Sequence, residues 1–119
     1  MCRTSARCSS APEVAKAATA ADAKRLVDIP NVGPSIADDL RALGIQHPLQ
    51  LRGQDPLVLY LRLCELSRAR HDPCLLDTFM AAVAFIDHDD VRPWWAFTAQ
   101  RKLNWPAVER RLPAALRKP

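Results

Sequence analysis

Glycine is scarce in this chain, with three residues in 119, so a Gly-rich phosphate loop has nowhere to sit. No stretch alternates polar and apolar residues with a period of two, which removes the signature of a half-buried strand. The longest unbroken apolar run, Phe79 to Ile86, is eight residues, against roughly 20 for a bilayer span. Met1 to Ala11 contain no apolar core of secretory length, so no signal peptide is expected and the expected location is cytoplasmic, away from membranes. There is no Cys-x2-Cys pair, no Ser-His-Asp order and no pair of catalytic carboxylates. An enzymatic activity, a cofactor and a metal are therefore not expected.

What is present describes a folded chain. Apolar residues make up 49% and charged residues 25%, which fits one globular domain with one core. The excess of base, +4 overall, is not evenly spread. Residues 1–21 carry a net +2 and residues 101–119 a net +5, while residues 22–100 hold eight bases against eleven acids. Attraction to polyanions is thus expected from the ends more than from the middle. On this basis residues 1–21 are read as a solvated, disordered tail, 22–100 as the folded domain and 101–119 as a basic C-terminal extension.

The folded part opens on Leu26 to Leu40, followed by Leu43-Gly44-Ile45. Leu26, Ile29, Val32, Ile36, Ala37, Leu40 and Leu43 keep helical spacing on both sides of a break at Pro30 to Gly33. That pattern predicts a helix over Asp22 to Ile29 and another over Pro34 to Leu43, folded back across a tight turn as a helix-hairpin-helix. Such a hairpin leaves the first N–H groups of its second helix without intrahelical partners, and with the positive end of the helix dipole they suit a phosphate oxygen. Val32, Gly33, Ser35 and Ile36 are the expected backbone donors, with the Ser35 hydroxyl beside them. Asn31 is the turn residue that tolerates the left-handed region, and Lys24 and Arg25 are the nearby cations.

Proline marks the helix starts, since it fixes φ for a first helical position and forfeits only an N–H that would be unpaired there. Pro34, Pro48, Pro56 and Pro73 occupy such positions, with Asp55 and Asp72 as N-caps and His47 capping a short turn at Pro48 to Leu51. Longer helices follow from Pro56 to about Arg68 and from Pro73 to about Asp87. The last is apolar nearly all round and is expected to be the spine of the core. The fold class is all-α, a compact domain of five or six helices, in which the two long helices read as a degenerate second hairpin packed pseudo-symmetrically on the first.

Cys64 and Cys74 sit at neighbouring helix ends with His71 and Asp72 between them, a set short of a zinc site and better read as reduced core residues. Cys74 also occupies a first helical turn, where the dipole lowers a thiol pKa. Trp94, Trp95 and Phe97 form the one aromatic cluster, beside Arg92 and ahead of Arg101 and Lys102. They are read as a lid on the core, with Trp94 and Trp95 pointing different ways; stacking on unpaired bases is the competing use. Trp105 to Leu112 has a short amphipathic helical pattern.

These residues also carry a resemblance. Ile29-Pro30-Asn31-Val32-Gly33-Pro34, Leu43-Gly44-Ile45, Asp55-Pro56 before a Leu-Tyr-Leu-Arg-Leu-Cys helix, Asp72 to Phe79 and the Trp94-Trp95 pair together resemble the bacterial pathogenicity-locus family of small helix-hairpin-helix proteins, often labelled mitomycin resistance proteins. The resemblance covers about Leu26 to Trp95. A weaker one, an Asn-x-Gly hairpin followed by Gly-Ile, is to the C-terminal module of competence regulators. Neither implies an enzymatic reaction.

DNA-holding hairpins often have two glycines and a lysine soon after the second. Here Asn31 takes the first glycine's place, Ser35 brings no charge, and Asp38 and Asp39 follow on the same face. Two expectations result. The first is a monomer or weak dimer that binds nucleic-acid backbone, DNA foremost, without sequence preference. The second is a protein-interaction module in which the hairpin only packs helices, with Gly33 needed for close backbone approach.

Overall fold

The computed structural model describes residues 16–117. Among them are four α-helices and five 3-10 turns, with no strand. The helices are α1 (Pro34–Ala42), α2 (Pro56–Ser67), α3 (Pro73–His88) and α4 (Thr98–Arg111). The turns are Ala20–Asp22, Leu26–Asp28, Pro48–Leu51, Trp94–Phe97 and Ala114–Leu116. The all-α class stands as expected, with four α-helices where five or six were anticipated.

Proline does start α1, the Pro48–Leu51 turn, α2 and α3. Asp55 caps α2 by accepting from the Leu57 N–H at 2.9 Å, and Asp72 caps α3 by accepting from the Cys74 N–H at 2.8 Å. His47 Nδ1 accepts from the Leu49 N–H at 3.1 Å. Each cap satisfies a donor that the helix itself cannot, which is why these starts were readable.

The core is built round α3, which buries ten residues from Leu76 to Ile86. Leu59, Tyr60, Leu61, Leu63 and Cys64 of α2 face it, joined by Leu26, Ile29, Val32, Ala37 and Leu40 of the hairpin region. Each large side chain so buried contributes about 1.5–3 kcal/mol relative to exposure.

Two boundaries differ from expectation. α4 runs across residue 100 rather than starting a separate extension, and Val108 and Leu112 are fully buried. Two ion pairs fasten it. Asp77 of α3, with no exposed surface, accepts from the Thr98 hydroxyl at 2.7 Å and from Arg101 Nε at 2.9 Å. Arg70 grips Glu109 with both guanidinium ends and lies 5.4 Å over the Trp105 ring, which meets Tyr60 edge to face. At the other end, the domain begins before residue 22. Ala20 is buried, Ala17 packs against the core, and the Ala17 N–H donates to the Asp28 carbonyl at 2.8 Å. The rest of the expected tail, residues 1–15, lies outside the described residues.

The first arm of the hairpin also differs. Asp22 to Ile29 was read as a helix, but Asp22 ends the Ala20–Asp22 turn, Ala23 and Arg25 are extended, and Leu26–Asp28 form a separate 3-10 turn. The cause is Asp28. Its carboxylate accepts from the backbone N–H groups of Lys24 and Arg25, at 3.0 and 2.9 Å, and so caps a new start at Leu26. Pro30 then biases Ile29 out of the helical region, leaving room for a single turn. With a three-residue arm on one side and helices of 12 and 16 residues in α2 and α3, the two pairs are not copies of one another.

Candidate nucleic-acid interface

The turn into α1 is set by Pro30 and Asn31. The Val32 N–H donates back to the Ile29 carbonyl at 3.1 Å, and Asn31 takes φ 74°. Proline followed by a left-handed residue inside such a bond is the pattern of a type II turn. Asparagine pays less than other side chains for that conformation, and here it is held there. Asn31 Nδ2 donates to the Arg92 carbonyl at 3.0 Å, and Asn31 Oδ1 accepts from the Trp94 N–H at 3.1 Å.

Of the expected phosphate donors, three stay open. Among the described residues, the N–H groups of Gly33, Ser35 and Ile36 find no acceptor within the protein. Ser35 is exposed, while Gly33 and Ile36 are half-buried at the same rim. Val32 is different: its N–H is consumed in the turn and its side chain is wholly buried, so it supports the site without facing a ligand. Gly33 is extended, at φ −94° and ψ −176°, and a Cβ there would meet nothing within 4 Å. Close backbone approach therefore does not explain this glycine.

The expected cations are engaged. Arg25 is paired with Asp28 at 3.0 Å, and Lys24 Nζ donates to the Ala21 carbonyl at 3.3 Å. The acid that follows on α1 is partly answered too, because Asp38, 77% exposed, pairs with Arg41 at 2.8 Å. Burial pushes the Asp39 carboxyl above its ordinary range, with Asp38 adding to the rise and His71 opposing it.

One contributor had no sequence signal. Lys16, assigned to the tail, donates from Nζ to the carbonyls of Val27 and Val32, both at 2.7 Å. It ties the first arm of the hairpin to its turn, and desolvation there lowers its pKa. An isolated lysine in an alanine-rich stretch gives no periodicity by which to find it.

The other candidates resolve simply. Among the described residues no group of three His, Cys, Asp or Glu side chains could hold a metal. Cys64 is buried and Cys74 half-buried, both as thiols. Desolvation and the Asp72 carboxylate push the Cys74 thiol up, against the lowering that its helix position suggested. No helix among these residues is long and apolar enough to cross a membrane. Trp94 packs on the core as a lid, while Trp95 turns outward.

The family described as Pathogenicity locus matches residues 19–103, from the Thr19 that precedes the first turn into α4. The mitomycin resistance protein McrB of Streptomyces lavendulae is 43% identical over 84 residues, covering 71% of this chain and 80% of that protein. No solved structure matches. By both the extent of the family match and the identity to this relative, the chain belongs to the pathogenicity-locus family.

Proposed function

We propose that this protein binds nucleic-acid backbone, DNA foremost, without sequence preference, through the turn that leads into α1. The observation that carries the reading is the set of N–H groups on Gly33, Ser35 and Ile36, left open at the positive end of a nine-residue helix. Gly33, the N-cap of α1, has no steric reason to be glycine, and its missing side chain keeps the donors bare. The Ser35 hydroxyl adds a donor. A phosphate here gains hydrogen bonds that read no base, which accounts for the absence of sequence preference. The protein acts as a cytoplasmic monomer or weak dimer without catalysing a reaction. A role in DNA repair or stress resistance fits a relative named for mitomycin resistance.

A second reading, a protein-interaction module, is favoured by the engaged state of Lys24 and Arg25 and by the exposed carboxylate of Asp38. Fluorescence anisotropy at several salt concentrations separates the two. Neutralised phosphates give a log–log slope of about −0.9 per contact on duplex DNA. Gly33→Val and Ser35→Glu are expected to stay folded and lose binding, since a carboxylate at Ser35 suits the helix dipole and repels phosphate. Unchanged DNA binding in both variants would refute the hairpin site, and no DNA binding by the parent chain would leave the protein-interaction reading.

A further inference from the structure

Tryptophan is costly to leave in water, because its indole can bury a large apolar area. The two adjacent tryptophans of this chain divide on that point. Trp94 lies half-buried against the core, while Trp95 is 64% exposed. Their rings meet edge to face, with centroids 5.6 Å apart and planes at 85°. Trp94 thus braces Trp95 without covering it.

The brace is itself fixed to the hairpin. The Trp94 N–H and the Arg92 carbonyl are both bonded to the side-chain amide of Asn31, the residue that turns the chain into α1. One side chain therefore links the exposed indole to the segment whose N–H groups stay open.

The acids ahead of the tryptophans are engaged, Asp89 accepting from the Ala20 N–H at 2.7 Å and Asp87 from the Gly53 N–H at 3.0 Å. Further along the chain, Lys102, Arg110 and Arg111 on α4 form no ion pair among the described residues. The one carboxylate of that helix, Glu109, is gripped by Arg70, and Asp90, ahead of the tryptophans, is paired with Arg92 at 2.7 Å. A braced, exposed indole tied to a turn with open N–H donors suits a polyanion that also offers flat, uncovered rings. In closed duplex DNA the ring faces are covered by their neighbours. In a single strand they are not.

Resting on the reading that the hairpin holds nucleic-acid backbone, we infer that Trp95 is a stacking platform for an unpaired base, so that the preferred ligand is single-stranded nucleic acid. The hairpin holds the phosphates and Trp95 takes a base of the same strand. Selectivity for strand state then comes from the indole, and backbone affinity from the turn.

The test is an anisotropy titration of an oligothymidylate and a blunt duplex with the full chain, Trp95→Ala, Trp95→Phe and Gly33→Val. Thermal melts followed by circular dichroism check that each variant is folded. Trp95→Ala is expected to weaken oligothymidylate binding about 5- to 150-fold, to leave duplex binding unchanged, and to be partly rescued in Trp95→Phe. Equal losses on both ligands, or none, would overturn the stacking role. Should Gly33→Val weaken both ligands while Trp95→Ala weakens neither, the hairpin reading survives and the stacking one falls. Should Trp95→Ala lose the single strand while Gly33→Val binds normally, the reverse holds. Absence of binding to either DNA by the parent chain overturns both.

Discussion

Asn31 and Trp94 are 63 residues apart in the chain and joined by a hydrogen bond of 3.1 Å, from the Trp94 N–H to the Asn31 amide oxygen. The same amide donates to the Arg92 carbonyl. The turn before α1 and the segment before α4 are thereby one rigid unit, and the positive φ of Asn31 is part of what aims the amide. Asn31→Gly keeps that backbone conformation and loses both bonds, an expected cost of about 1–3 kcal/mol. Asn31→Ala loses the bonds and adds the strain of a Cβ in the left-handed region, about 1–2 kcal/mol more. Urea unfolding of the two variants against the parent measures the difference; equal stabilities would mean that the left-handed turn costs nothing here.

Much of this fold was legible because its helix starts are written locally. Proline, a capping Asp or His and an apolar stripe each act within one turn, and all four proline starts lie where the residues placed them. The spine helix was legible for the same reason, its apolar run having no polar face to expose. What was not legible depends on distant partners. Lys24 and Asp28 have the spacing of a helical ion pair, but the carboxylate takes the backbone N–H instead and shortens the arm. Arg101 and Glu109 look like solvated charge on a basic end until Asp77 and Arg70 come to meet them. Of the candidate site, Gly33, Ser35 and Ile36 were found from the turn pattern. The use of Asn31, and the shelter that Lys16 gives the hairpin, needed three dimensions.

The pair of Asp77 and Arg101 should dominate the attachment of α4. Asp77 has no exposed surface and Arg101 little, so removing either partner leaves a buried, uncompensated charge. Arg101→Met is expected to destabilise by about 3–5 kcal/mol. The double variant Asp77→Leu with Arg101→Met is expected to recover most of that loss, because it removes the charge with its partner. A double-mutant cycle by denaturant unfolding checks the coupling, and additive losses would contradict it.

Ending the chain at Ala99 should abolish the native fold rather than trim a tail. The cut removes Arg101, leaving Asp77 unpaired, and removes Trp105, Val108 and Leu112 from the core surface. Loss of two wholly buried aliphatic side chains alone is expected to cost about 3–6 kcal/mol, a large part of the stability of a small domain. The expected result is a non-cooperative thermal transition. Replacing Arg110 and Arg111 by Gln, both exposed, should instead leave the transition unchanged and remove charge only.

Acid should act through opposed groups. Backbone N–H donors hold the carboxyls of Asp28 and Asp72 below the ordinary value of 3.8, and the Arg92 side chain does the same for Asp90. Their contribution is complete above 3.8 and is lost as pH falls through the lowered values, since the unfolded chain then binds more protons. Asp39 runs the other way. Burial raises its pKa, so the folded state gains stability as pH falls through that raised value, above 3.8. Urea unfolding across the acid range is expected to show a small rise and then a fall. Asp39→Asn should remove the rise, and Asp72→Asn should soften the fall; an unchanged profile in both would assign acid unfolding to other carboxylates.

Gly33 gives the sharpest separation of packing from binding. Its backbone is extended, a conformation open to any residue, and a Cβ built on it touches nothing within 4 Å. Gly33→Ala therefore removes freedom from the unfolded chain without strain in the folded one, a gain of about 0.4–1 kcal/mol. Gly33 is also the N-cap of α1, where alanine caps less well than glycine, so a comparable loss offsets the gain and little net change in stability is expected. If this glycine existed for close packing of the two arms, the same substitution would destabilise. Its side chain would also stand at the rim where the N–H groups of Ser35 and Ile36 open, so a nearly unchanged melting temperature accompanied by weaker DNA binding would show a residue kept small for a ligand. Unchanged stability with no change in binding would leave this position without a part in either.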